Sequence, residues 1–273
     1  MRTVIFEVDM RIFCNFAPNL NRRLMEFESF YEKIQDALHQ VPDNIRILEK
    51  KIDIELQKEY FRQSREAKEG LDATEVLDQA ENLFADTTPV DQKQKLLVQL
   101  ASLERIDALR LIERFKEENK TVLTDWTELA FQESRIRLES SLLGERPVFI
   151  SSGLGGRGHK FRYFGALFAL EDQPFTDWQK ELLKKEILFA LNHYDSELES
   201  IEFHTGFVAL TAMIPIREPL RNIFRDIIME CNQIGGFLRT DMLITNVKQF
   251  SPDELRDILE NKILKEEDDE QAD

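Results

Sequence analysis

No apolar run in this chain approaches the ~18 residues that a membrane-crossing helix needs; the longest cover residues 164–170 and 206–214. The first nine residues are interrupted by Glu7 and Asp9, so they read as no secretory leader, and no membrane association is expected. There are only two cysteines, Cys14 and Cys231, far apart in sequence. They offer no disulfide framework and read as two buried thiols in a reducing compartment, so cytoplasmic residence is expected. The four histidines, His39, His159, His193 and His204, have no metal-ligand spacing among themselves or with cysteine, and no Gly-x-Ser-x-Gly elbow occurs. No metal and no cofactor is expected. Positive charge is also short: 36 Lys and Arg stand against 52 Asp and Glu, a net charge of −16. General nucleic-acid binding is disfavoured, because a phosphate backbone would be repelled, although a local RNA or DNA contact is allowed.

What is present suits a folded core. Of the 273 residues, 42% are hydrophobic and 20 are phenylalanine, enough for one large domain or two smaller ones. The acidity is uneven. Residues 1–88 carry −6, 89–146 carry −1, 147–250 carry −2, and 251–273 alone carry −7.

Periodicity gives the organisation. Residues 3–13 alternate loosely and predict one strand; 20–38 predict a helix; and Ile45, Leu48, Ile52, Leu56 and Tyr60 predict a helix over 45–68. A short helix over 74–84 takes Thr74 as its N-cap. After Pro89, three amphipathic helices are expected at 91–101, 103–118 and 122–143. The run Val122-Leu123-Thr124-Asp125-Trp126-Thr127-Glu128-Leu129-Ala130, with its short connections, resembles the helical units of HEAT and armadillo repeats over about 55 residues. A small antiparallel bundle is the other reading of the same pattern.

Past Pro147 the pattern changes to strands at 148–152, 160–170, 201–204, 207–214 and 237–247. Helices are expected at 175–194 (N-cap Thr176), 219–231 and 251–265 (capping box Ser251 and Glu254). Phe164-Gly165-Ala166-Leu167 is echoed 43 residues later by Phe207-Val208-Ala209-Leu210, which predicts a duplicated strand–strand–helix unit. The expected fold class is α+β: a helical N-terminal half, then a mixed or antiparallel sheet with helices. The expected division is 1–88 (strand plus helices), 89–146 (bundle or HEAT-like helices), 147–265 (α+β sheet domain) and 266–273 (acidic disordered tail).

One motif carries chemistry. Gly153, Gly155, Gly156 and Gly158 fall within six residues, and the window 146–170 contains no acid but includes Arg146, Arg157, Lys160 and Arg162. The spacing Gly153-x-Gly155-x-x-Gly158 matches the dinucleotide fingerprint, yet an aromatic strand follows rather than a helix opening on the loop. A kinase reading fails for lack of a strand lysine, His-Arg-Asp and Asp-Phe-Gly. What survives is a glycine hairpin loop at which Gly153, Gly155, Gly156, Arg157, Gly158, His159, Lys160 and Arg162 form a candidate anion- or ligand-binding site. A flexible turn without a ligand is the competing reading. Strict alternation places Lys160, Arg162, Phe164 and Ala166 on one sheet face. The acidic tail is expected either to stay solvated or to fold back on this window. The function expected is that of a non-enzymatic interaction or regulatory protein, with a protein partner on its helical surface and an anionic ligand or partner at the glycine hairpin. A phosphate-handling enzyme using residues 153–160 as a cradle, and a local nucleic-acid binder, are the alternatives.

Overall fold

The structure is a computed structural model that describes residues 45–67, 71–118, 123–144 and 148–260, together with two short strands at 5–7 and 11–14. The helix expected at 20–38, the end of the last helix beyond residue 260 and the acidic tail lie outside the described residues. The fold is α+β, with a helical first half and an antiparallel sheet in the second. Two compact units result: Met1–Val8 with Pro42–Ser152, and Asp9–Val41 with Gly153–Asp273.

The first unit holds a three-stranded parallel sheet in the order β1 (Ile5–Glu7), β4 (Val148–Ser151), β3 (Ile45–Ile47). Between β3 and β4 the chain runs through helices α1 (Ile54–Glu66), α2 (Ala73–Asp78), a 3-10 turn (Ala80–Leu83), α3 (Val90–Ala101), α4 (Ile106–Glu118) and α5 (Thr124–Leu143). The helix expected from Ile45 is corrected: Ile45 and Ile47 are a parallel strand. Ile45 and Leu48 fit a helical face, but Ile45 and Ile47 are buried with Arg46 exposed between them, the two-residue period of a strand. The helix starts later because Asp53 caps it, its Oδ1 accepting from the backbone N–H groups of Glu55 and Leu56. For the same reason the cap of the next helix is Asp72 and not Thr74; Asp72 Oδ1 accepts from Thr74 N–H at 2.8 Å. Tyr60, Phe61, Leu97, Leu100, Ile112, Trp126, Leu129 and Phe149 are among the side chains of one continuous core. Trp126 packs edge-on to Tyr60 and donates its indole N–H to the Gln94 carbonyl at 3.1 Å. Gln57, fully buried, donates to the carbonyls of Ile52 and Ser152 and so ties α1 to the end of β4.

The expected single strand over 3–13 is two strands, because β1 joins this sheet while β2 (Arg11–Cys14) pairs with β9 (Leu238–Thr245) of the second unit. Each half finds a different ladder for its backbone groups, a choice that alternation does not encode.

The second unit runs β5 (Gly156–Arg157), β6 (Lys160–Ala169), α6 (Asp177–His193), β7 (Glu197–His204), β8 (Phe207–Pro215), α7 (Leu220–Ile234) and β9 (Leu238–Thr245), followed by helical residues 252–260, α8. The strand order is β2-β9-β6-β8-β7, all antiparallel. From β6 to β9 both the connectivity, β-α-β-β-α-β, and the order are those of the split βαβ arrangement called ferredoxin-like. The 43-residue echo has a structural meaning, although the repeating unit is strand–helix–strand and not strand–strand–helix. Phe164 and Phe207 stand 43 apart, as do the helix starts Asp177 and Leu220. The two echoed strands are central neighbours, with Ala166 directly opposite Ala209.

The sheet is covered on both faces, which is why β8 is buried along nearly its whole length. Phe224 of α7 lies over Gly165, where a β-carbon would come within 2.7 Å of its ring. On the opposite face Phe164, Ala166, Phe168, Phe207, Ala209 and Leu243 pack with Leu154 and with Leu255 of α8. Both expected caps form. Thr176 makes a full capping box with Gln179, and Ser251 makes one with Glu254.

Candidate functional site

The strands expected on either side of the glycine run, β4 and β6, belong to different sheets, so the run is not a turn between them. The hairpin within it is smaller. Gly156 pairs with Phe161 and Arg157 with Lys160, leaving Gly158 and His159 as a two-residue turn. Gly158 has φ +62°, which a primed hairpin turn requires of its first central residue. Gly153 has a different task. It runs so close to the chain after β9 that a β-carbon would lie 1.8 Å from the Val247 carbonyl oxygen, and the next residue, Leu154, donates its N–H to the Asn246 carbonyl at 2.9 Å.

The predicted site residues therefore separate. Gly153, Gly155 and Gly156 are buried and serve the fold, whereas Arg157, Gly158 and His159 are exposed and Lys160 and Arg162 half-buried. The backbone of Gly156 and Arg157 is taken up by pairing with β6, so the chemistry available to a ligand lies mainly in the side chains.

Those side chains converge with three acids that sequence reasoning did not connect to them. Arg157 Nη2 lies 2.5 Å from Glu197 Oε2; Lys160 Nζ lies 2.9 Å from Glu197 Oε1 and 3.4 Å from Asp195 Oδ2. Arg162 grips Glu199 with two hydrogen bonds, 2.6 Å from Nε and 2.9 Å from Nη2, and donates from Nη1 to the Leu154 carbonyl at 2.8 Å. Register explains the convergence. Arg162 is opposite Met213 of β8, and Met213 is opposite Glu197 of β7, so all three point to one face. Leu198 and Ser200 pair with the consecutive Ala212 and Thr211, which leaves Glu199 as the extra residue of a bulge that re-aims its side chain. The ion pairs cross β8 above Met213, which is fully buried, so their methylene stems also act as its cover.

Electrostatically the strip is balanced, three cations to three carboxylates. The Lys160 hydrogen bond holds Glu197 below the usual carboxylate range, and the same bond raises Lys160 above an ordinary lysine. Glu199 raises Arg162 likewise. With Glu197 depressed, its contribution is present above the unfolded value of about 4.3 and is lost as pH falls through the folded value. With Lys160 raised, its contribution is complete below about 10.4 and is lost as pH rises through the folded value. The strip is accordingly intact across the neutral range. A carboxyl-carbon NMR titration should place the Glu197 midpoint below about 4.3, and Lys160→Met should move it upward. A midpoint at or above that value would contradict the pairing.

Among the described residues no group of three or more His, Cys, Asp or Glu is placed to hold a metal ion, and no helix is long and apolar enough to cross a membrane. Comparison of the sequence with protein-family models and with curated proteins gives no match.

Proposed function

We propose that this chain is a non-enzymatic, cytoplasmic interaction protein whose hairpin strip, Arg157, Lys160 and Arg162, contacts an anionic segment of a partner. The observation that carries this reading is the way the three cations are held. Their counter-charges are exposed or half-exposed carboxylates, Glu197 and Glu199 of β7 with Asp195 just before it, and ion pairs at such positions contribute little stability, so an incoming anion of higher charge density can replace Glu197 and Glu199 without unfolding anything. The strand pairing on either side of the two-residue turn sets Arg157 opposite Lys160, which lowers the ordering cost of binding. Cys231, a buried free thiol, suits a reducing compartment.

The test removes the internal competitors. In Glu197→Gln/Glu199→Gln at low salt, affinity for an oligoglutamate peptide should rise by about tenfold or more over the parent, and Arg157→Ala/Lys160→Ala should abolish the gain. Pyrophosphate and a short oligonucleotide, run as separate arms, distinguish the phosphate-handling and nucleic-acid readings. Absence of binding to all three probes in the Gln variant would end the anion-contact proposal. Removal of residues 266–273 tests whether the chain's own acidic tail competes: if it does, affinity rises in the parent as well.

A further inference from the structure

A groove of about 580 Å³ opens on the helical unit between α2 with its 3-10 turn on one side and α3 on the other, with the end of α1 also contributing. That volume falls in the ~300–1,000 Å³ range of ligand-binding clefts. Its apolar floor is narrow, made by Val76 and Leu96, both buried. Its walls carry four amides, Gln79 and Asn82 on one side, Gln92 and Gln99 on the other. Gln92 and Gln99 are seven residues apart on α3, and Gln79 follows Glu75 by one turn, so each pair is a ridge along the groove. The side chains of Asn82, Gln92 and Gln99 hydrogen-bond to no described residue; that of Gln79 makes one long bond, 3.3 Å, to Glu75.

A primary amide presents an acceptor oxygen and two donor hydrogens from one rigid plane. An extended peptide backbone presents alternating N–H and C=O groups along its edge. Facing rows of amides with no partner, or one long one, among the described residues suit such a backbone, because each can answer either group by rotating. The charge in the groove adds a direction. Glu66, Asp72 and Glu75 line the side formed by the end of α1 and the start of α2, against one cation among the described lining residues, Lys95, on α3. Each acid has a local partner: Arg62 for Glu66, backbone N–H groups for Asp72, Gln79 for Glu75. A carboxylate accepts about four hydrogen bonds, so capacity remains.

We propose that this groove binds an extended peptide segment of a partner protein, held along its backbone by the Gln and Asn side chains and by its basic residues against Glu66, Asp72 and Glu75. The proposal rests on the interaction-protein reading and supplies the surface on the helical unit for it. It is independent of the hairpin strip, which has the opposite ligand preference.

The probe is a fluorescein-labelled mixture of capped decapeptides alternating Lys with Thr, Val or Ser, titrated with the full chain and read by anisotropy. The expected result is saturable binding that weakens about tenfold in Gln92→Ala/Gln99→Ala, the loss of two hydrogen-bonding side chains. Net charge is unchanged in that variant, so general attraction to an acidic protein cannot produce the loss. Both positions lie on the solvent side of α3, and circular dichroism confirms folding. Arg157→Ala/Lys160→Ala should leave the binding unchanged. Equal affinity in the Gln variant, displacement of the peptides by spermine at equivalent charge, or preference for the matching glutamate mixture would each overturn the groove. If the lysine mixture fails while oligoglutamate still binds the hairpin, the groove alone falls. If neither binds, the interaction reading falls with it.

Discussion

Glu133→Ala should destabilise the helical unit by about 3–5 kcal/mol, the usual cost of leaving one member of a buried ion pair unpartnered. Glu133 and Arg137 are 3% and 6% exposed, one turn apart on α5. The Glu133 carboxylate accepts from Arg137 at 2.6 and 2.9 Å, from the Ser64 hydroxyl at 2.6 Å and from the Tyr60 hydroxyl at 2.8 Å. Burial and the neighbouring carboxylate push the Tyr60 hydroxyl well above the ordinary tyrosine value, so it remains a donor at any working pH. Truncating Glu133 strands three donors at once, and the acid that remains near Arg137 among the described residues is Glu104, 4.0 Å away. The two tryptophans make the measurement clean. Trp126 is buried in this unit's core and Trp178 belongs to the other, so urea unfolding in a Trp178→Phe background reads this unit by fluorescence. A shift below about 1 kcal/mol would show that water reaches the network. The triple replacement Tyr60→Phe/Glu133→Met/Arg137→Leu should recover most of the loss, because it removes the polar groups together.

Gly153→Ala should destabilise the sheet unit by more than about 3 kcal/mol, through backbone displacement rather than through glycine's conformational freedom. The added methyl would meet the Val247 carbonyl oxygen at 1.8 Å and its carbon at 2.7 Å, and neither belongs to a side chain that could rotate away. Gly158→Ala is the informative contrast. It faces open space at φ +62°, so only left-handed strain applies, about 1 kcal/mol. Urea unfolding read by Trp178 in a Trp126→Phe background compares the two. Equal costs at the two positions would mean that the chain after β9 yields easily and that Gly153 is not a close-packed contact.

These two sites illustrate what a sequence conceals. The glycine cluster is conspicuous as four residues of one kind, yet its members do different work: Gly153 admits a neighbouring backbone, and Gly158 turns a hairpin. Nothing local distinguishes them, because the Val247 carbonyl arrives from more than 90 residues away. The acid-free window is real in sequence and absent in space. Asp195, Glu197 and Glu199 reach it across β8, and the bulge that aims Glu199 has no marker in composition. Of these, Glu197 and Glu199 do leave one trace, an i, i+2 pair of acids just before the strand expected at 201–204. The buried Glu133–Arg137 pair looks, in sequence, like an ordinary solvated i, i+4 contact on an amphipathic helix, and only the packing of Tyr60 and Ser64 against it shows otherwise.

What the sequence determined by itself is whatever local physics decides. The helices after Pro89, the N-cap at Thr176, the capping box at Ser251, the alternation along β6 and the 43-residue echo all rest on interactions within a few residues or on duplicated spacing. The α+β class follows from them. Tertiary structure alone decided the partition of the N-terminal segment between two sheets, the strand at Ile45–Ile47, the ferredoxin-like strand order, and the neutralisation of the cationic strip. Each depends on which backbone edge or which charge arrives from far along the chain. Such long-range pairings take their free energy from ladders and ion pairs that neither partner segment holds alone, so neither segment's sequence records them.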